Sequence, residues 1–131
     1  MSRTNVRYVN PPTLSAPTGY SHVVEVQSGR TIYIAGQVAV DKSGNVVGKN
    51  DFAAQATQVF ENLKLALAAA DATFDNLVKV TTFVTDMSHL QTLRTLRAKY
   101  YGKNVPASTL VQVGKLANEQ LMIEIEAVAV V

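Results

Sequence analysis

The spacing at which apolar residues recur switches along this chain from two to 3.6 and back, and that alternation restricts the fold more than any single motif does. Ser21 to Val26 and Thr31 to Val40 read as strands joined by a hairpin turn at Gln27-Ser28-Gly29-Arg30, and Asp41 to Asn45 reads as a second turn. From Asp51 the spacing becomes helical. Phe52, Ala56, Val59, Phe60, Leu63 and Leu67 share one face through Ala70, with Asn50 or Asp51 as N-cap. Leu77 to Val84 is a Val- and Thr-rich strand. Ser88 with Gln91 three residues on then forms a capping-box signature ahead of Leu90, Leu93, Leu96 and Tyr100, and Gly102 is placed to end that second helix. Two β-favouring runs, Val105 to Val113 and Leu121 to Val131, flank a loop from Gly114 to Gln120 and hold the last strands. The order implies an α+β fold in one domain over residues 1–131, a mixed sheet of about six strands with two helices packed on one face.

A chain of 131 residues, 47% of them hydrophobic, can bury roughly two-thirds of its extended surface and needs no staple. Cysteine is absent, which excludes disulfides, thiolate nucleophiles and Cys-based zinc or iron–sulfur sites. Met1 to Arg7 has no apolar signal-peptide core, and no apolar run approaches the ~20 residues of a membrane span. The expectation is a cytoplasmic protein with no membrane partner. A net charge of +2, with twelve basic residues spread among ten acids, gives little footing for nucleic acid.

Counting faces implies more. Two helices cover one face of the sheet, yet the last strands carry apolar residues on both. The other face calls for a second copy of the chain, because several hundred Å² of apolar sheet is rarely left in water. On the final strand Glu124 and Glu126 stand at i and i+2, hence on one face, in a row with Met122, Val128 and Val130. Carboxylates in such a row need hydrogen bonds or a cationic partner, so the face either meets water or lines a site.

Other constellations are better read as structure. Gly44-Asn45-Val46-Val47-Gly48-Lys49 resembles a phosphate loop, but only three residues separate its glycines and Asn50 replaces the magnesium-holding Ser or Thr. It is a turn. His22 and His89, the only histidines, have no ligand partner at i+2 or i+4 and read as surface or capping residues, with no metal site. Arg94, Arg97, Lys99 and Lys103 surround Tyr100-Tyr101, but Tyr100 continues the apolar stripe of Leu93 and Leu96. The charges are then expected on the solvated face, not on RNA.

Four segments, in order and spanning nearly the whole chain, together resemble the RidA/YjgF family. They are Pro17-Thr18-Gly19-Tyr20-Ser21-His22, Ile34-Ala35-Gly36-Gln37-Val38, Val80-Thr81-Thr82-Phe83-Val84-Thr85-Asp86 and Ile123-Glu124-Ile125-Glu126-Ala127. The resemblance implies a chorismate-mutase-like fold in a homotrimer, sheets inward, with ligand clefts between subunits. It also implies hydrolysis of small enamines and imines to 2-keto acids and ammonia, with no cofactor and no metal. In that family an arginine grips the substrate carboxylate in bidentate fashion and a glutamate acts on water or the imine. By resemblance the glutamate is Glu124, the cleft tyrosine Tyr20 and the strand-end glycine Gly36. The arginine is missing: Pro106-Ala107-Ser108 stands where the family has Pro-Ala-Arg. Leu110 replaces a common cysteine, and Ser88 a common asparagine.

Serine has no charge and cannot fork against a carboxylate, and charge-assisted bonds are worth about 1.5 to 3 kcal/mol each. The chain therefore resembles an arginine-lacking branch. Three functions stay open. One is a cofactor-free hydrolase in which Glu124 activates water while Ser108, Thr109 and backbone amides polarise the substrate. The second is a non-catalytic binder of a small metabolite at the same cleft, which Tyr20 and Glu124 fit equally well; under either reading Tyr20, Gly36, Ser88, Ser108, Thr109 and Leu110 are the residues expected to bind the small molecule. The third, an RNA-directed nuclease or translation inhibitor, draws least support, since no paired histidines and no concentrated basic surface are present.

Overall fold

The computed structural model describes residues 5–131; the reading of the first four residues lies outside them. Strands β1 (Val6–Val9), β2 (Val23–Val26) and β3 (Thr31–Val38) lead into helix α1 (Phe52–Ala69). Strand β4 (Leu77–Val84), helix α2 (Leu90–Tyr100), β5 (Ala107–Gln112) and β6 (Ile123–Val130) follow. The two helices and the strands from Val23 onward lie near where the period of their apolar residues placed them, whereas β1 was not anticipated. Among the described residues, no helix is long and apolar enough to cross a membrane.

The sheet orders its strands β3-β6-β4-β5, antiparallel except for the parallel β4–β5 pair. Strict alternation on β6 buries Ile123, Ile125, Ala127 and Ala129 against the helices. Val80 and Val84 of β4 join them, with Phe60, Leu63 and Leu67 of α1 and Leu93 of α2 in the same core. Both helices therefore occupy one face, as expected.

Two expectations need correction. β2 and β3 are not a hairpin: β2 pairs with β1, from Val6 opposite Val26 to Val9 opposite Val23. The six strands thus form a four-stranded sheet and a separate two-stranded ladder instead of one continuous sheet. The turn glycine, Gly29, has φ 119 and is pressed against Asn5 and the Val131 carbonyl, so the segment carries the chain past the sheet edge. Second, the apolar face away from the helices is not wholly bare. Val6, Tyr8 and Val24 of the ladder pack on Val78, Val128 and Val130, and the Tyr8 hydroxyl donates to the Leu77 carbonyl at 3.2 Å. The chain covers that end of the face itself. Beyond it, Tyr33 on β3, register partner of Val128, stays 81% exposed.

Asp51, not Asn50, caps α1, accepting from the Ala54 amide at 3.1 Å. Ser88 does not cap α2. Asp86 accepts from the Ser88 amide at 2.9 Å and caps a 3-10 turn, Met87–His89, that delivers the chain into the helix. The earlier carboxylate prevails because it sits two residues before a free amide. Gly102 does not end α2 by a left-handed turn; Tyr101 is extended there, and Gly102 leaves space for the Asp75 carboxylate.

One polar residue ties the layers together. Gln55, fully buried on α1, donates to the Gly48 and Gln120 carbonyls at 3.2 and 2.7 Å and accepts from the Met122 amide at 2.8 Å. It fixes the approach to β6, and so the position of Glu124.

Candidate functional site

Glu124 occupies the second position of β6, opposite Phe83 of β4 and Val38 of β3. Its neighbours Ile123 and Ile125 are buried against the helices, so alternation turns its side chain to the opposite face. There it lies over β3 where the register shifts between Ile34 and Gln37. The shift brings Gly36 beneath the carboxylate, and the space that a Cβ at Gly36 would take is filled by the Glu124 carboxylate. Only glycine permits this approach, although its φ is unexceptional. The two residues named from separate motifs are thus in contact.

The same face carries a polar row. Thr81 of β4 faces Glu126 of β6 and Thr109 of β5, and Lys79 Nζ donates to Thr109 Oγ1 at 2.8 Å. Thr109 therefore shares Glu124's face and Lys79 adds a cation to it. Sequence reading missed Lys79. Its place two residues before Thr81 on β4 was the available signal.

Ser108 and Leu110 stand elsewhere. Ser108 is opposite Val80 and Leu110 opposite Thr82, both buried on the helix side. Leu110 packs on the core, while Ser108 is half-buried on an edge strand. That edge receives the segment carrying Tyr20. Ser21 bridges to Ala107, its amide donates to the Pro106 carbonyl at 3.0 Å and its hydroxyl to the Val105 carbonyl at 2.6 Å. Tyr20 meets His22 edge-on at 5.3 Å, and His22 Nε2 is 2.7 Å from the Ser15 carbonyl. Ser88 is exposed at the start of α2, where His89 stacks on Phe52 at 4.5 Å. One copy therefore brings together Glu124 with Gly36, and separately Tyr20 with the Ser108 edge.

The basic stretch on α2 departs from expectation. Tyr100 does stack on Phe60 at 4.8 Å, continuing the apolar stripe. Arg97, however, is half-buried instead of solvated. Burial above all, with the neighbouring Arg94, holds its guanidinium below the ordinary arginine range, while Tyr101 acts the other way. Arg97 lies four residues beyond the buried Leu93, on the same helix face, which is the signal that reading by charge alone passes over.

A mixed sheet with two helices on one face is consistent with the RidA fold. The family model described as Endoribonuclease L-PSP matches residues 12–131. The chain belongs to the RidA/YjgF family. It is 37% identical over 105 residues to a RutC family protein of Pyrococcus horikoshii, covering 79% of this chain and 82% of that one. A mouse protein named 2-iminobutanoate/2-iminopropanoate deaminase is 36% identical over 121 residues, 90% of this chain and 87% of that one. Among crystal structures, the Rid family protein YyfB of Yersinia pestis superposes with a TM-score of 0.92 at 40% identity, over 98% of this chain and all of the other.

Proposed function

We propose that this chain is a cofactor-independent hydrolase of a small imine or enamine, working in clefts between the copies of a homotrimer. The observation that carries this reading is the Glu124 carboxylate seated over Gly36 on the face away from the helices. A carboxylate held by a backbone that offers it no side-chain obstacle is positioned to take a proton from water. The water oxygen then adds to the imine carbon while the C=N electron pair moves to nitrogen, which accepts the proton. Glu124 then carries the hydroxyl proton of the carbinolamine to its nitrogen, the oxygen pair forms the carbonyl, and ammonia leaves with the C–N pair. The sum is imine plus water giving ketone plus ammonia, with no redox change. The name of the mouse relative supports this class of substrate.

The trimer is supported by the division of the site. Glu124 with Gly36 and Tyr20 with Ser108 are separate within one copy, so a neighbouring copy that sets its β5 edge against this face would complete a cleft. With serine at 108, that cleft has no guanidinium fork there, and the hydrolase reading falls on substrates bound through Thr109, Lys79 and backbone amides.

The test uses imines generated from several amino acids by an amino-acid oxidase, with keto-acid release followed against the uncatalysed rate. Wild type is expected to accelerate release, and Glu124→Gln to lose about a hundredfold of that acceleration. An unchanged rate in Glu124→Gln sinks the assignment of the base. The serine at 108 favours a second reading, a metabolite binder without turnover. An inert wild type whose Ser108→Arg variant gains activity would select it. An RNA-directed role rests on the family description alone, and requires RNA affinity that falls steeply with salt.

A further inference from the structure

A cavity of about 300 Å³ opens between α2 and the Thr18–Gly19 segment, walled by Arg94, Arg97, Tyr101 and Val105. That volume is at the small end of the range of small-molecule sites. It lies on the helix side of the sheet, apart from Glu124, and it owes nothing to the hydrolase reading. Three independent features converge on it. Two guanidiniums line it, and among the described residues neither makes an ion pair. The Asp75 carboxylate packs on Gly102 at its margin, yet the groups that act on Arg97 are Tyr101 and Arg94. Arg97 is also fixed in direction. Gly19 has φ 73, and a Cβ there would lie 2.7 Å from Arg97 Nη2, so the guanidinium is held against bare backbone.

The third feature is Tyr101. The residue is 7% exposed, and its hydroxyl is the one buried side-chain polar atom among the described residues that lacks a hydrogen-bond partner. Buried hydroxyls are nearly always satisfied, and an orphan calls for an explanation. Tyr101 and Arg97 line the same cavity, and the buried hydroxyl leaves the cavity wall there to the tyrosine ring. Two cations that the protein leaves without an anionic partner are complementary to an anion. Val105, Ala98 and the tyrosine ring supply an apolar wall.

We propose that this cavity binds a small organic carboxylate, its oxygens held by Arg97 and Arg94, and its apolar body against Val105 and the Tyr101 ring. Arg matches carboxylate geometry by its planar fork, and the apolar wall distinguishes such a ligand from inorganic phosphate.

Titration of the full chain with benzoate, followed by amide and arginine side-chain NMR signals, tests this. Saturable shifts are expected at Gly19, Gly102 and the Arg97 Nε, at millimolar benzoate and at lower concentration than phosphate requires. Arg97→Gln should weaken binding about tenfold or more, as should Arg94→Gln, which removes an exposed residue and leaves the core intact. Gly19→Ala should weaken it by displacing the guanidinium, whereas Lys42→Gln on the Asp41–Asn45 turn should not. Non-saturating shifts, tighter binding of phosphate, insensitivity to both arginine substitutions, or an equal loss in Lys42→Gln would each overturn the proposal.

Discussion

A Cβ at position 36 would fall on the Glu124 carboxylate, so Gly36→Ala is expected to move that side chain without unfolding the sheet. Imine turnover should drop about tenfold or more while the melting temperature shifts little, because φ at this position is ordinary for any residue. Tyr101 gives a second residue-scale prediction. Burial pushes its phenol well above the ordinary tyrosine range, with Arg97 opposing only in part. A folded value raised above the unfolded one means the neutral phenol contributes stability in full below about pH 10, the unfolded value. That contribution is lost as pH climbs toward the folded value. Phenolate absorbance from Tyr101 should therefore appear only together with alkaline unfolding. Tyr101→Phe removes an unsatisfied hydroxyl and should raise stability by about 1 kcal/mol in ligand-free protein, checked by denaturant titration. Of these residues, Glu124 and Gly36 were legible in the sequence because their motifs carry the family resemblance. Arg97 and Tyr101 were not, since neither charge nor apolarity at one helical position says whether the neighbouring loop will close over it.

At the scale of elements, the helices and the strands after Gly19 were readable from period, while β1, four residues long, was missed and the other errors fell at connections. The start of α2 is set one turn earlier than the Ser88–Gln91 signature implies, by Asp86 accepting from the Ser88 amide at the head of the 3-10 turn. Its carboxyl lies below the usual range, chiefly through hydrogen bonding to Ser88. A folded value depressed below the unfolded one gives stability present above the unfolded value and lost as pH falls through the folded one. Asp86→Asn should thus flatten the acid limb of stability measured between pH 5 and pH 2, by far more than Ser88→Ala does. Gln55 is a stronger constraint. Replacing it with Met keeps the volume but orphans two carbonyls and an amide, which should cost roughly 2 to 4 kcal/mol in denaturant unfolding. Its role is invisible in the sequence, where a glutamine on an apolar helix stripe looks like an interruption.

For the whole molecule, the question is what covers the face of Glu124. The β1–β2 ladder covers its Val128–Val130 end, while Tyr33 and Val111 remain exposed beyond. Sedimentation or light scattering at micromolar concentration should give a trimer. Val111→Arg on the β5 edge should dissociate it and lower imine hydrolysis in step, since a cleft assembled from two copies vanishes with the contact. A clean monomer with full activity would exclude the intersubunit site.

The sequence by itself determined the order of elements, the one-sided placement of the helices and the family, because each follows from local spacing and from motifs short enough to be read along the chain. It also determined that no guanidinium stands at position 108. Tertiary structure alone decided that the ladder of β1 and β2 is separate from the sheet and folds across its end, and that Gly36 lies under Glu124. It alone decided that Ser108 and Glu124 look to opposite sides, and that Arg97 lies against Gly19. These are contacts between segments distant along the chain, and they depend on register and on loop path. A shift of one residue in either would turn the same side chains to the other face.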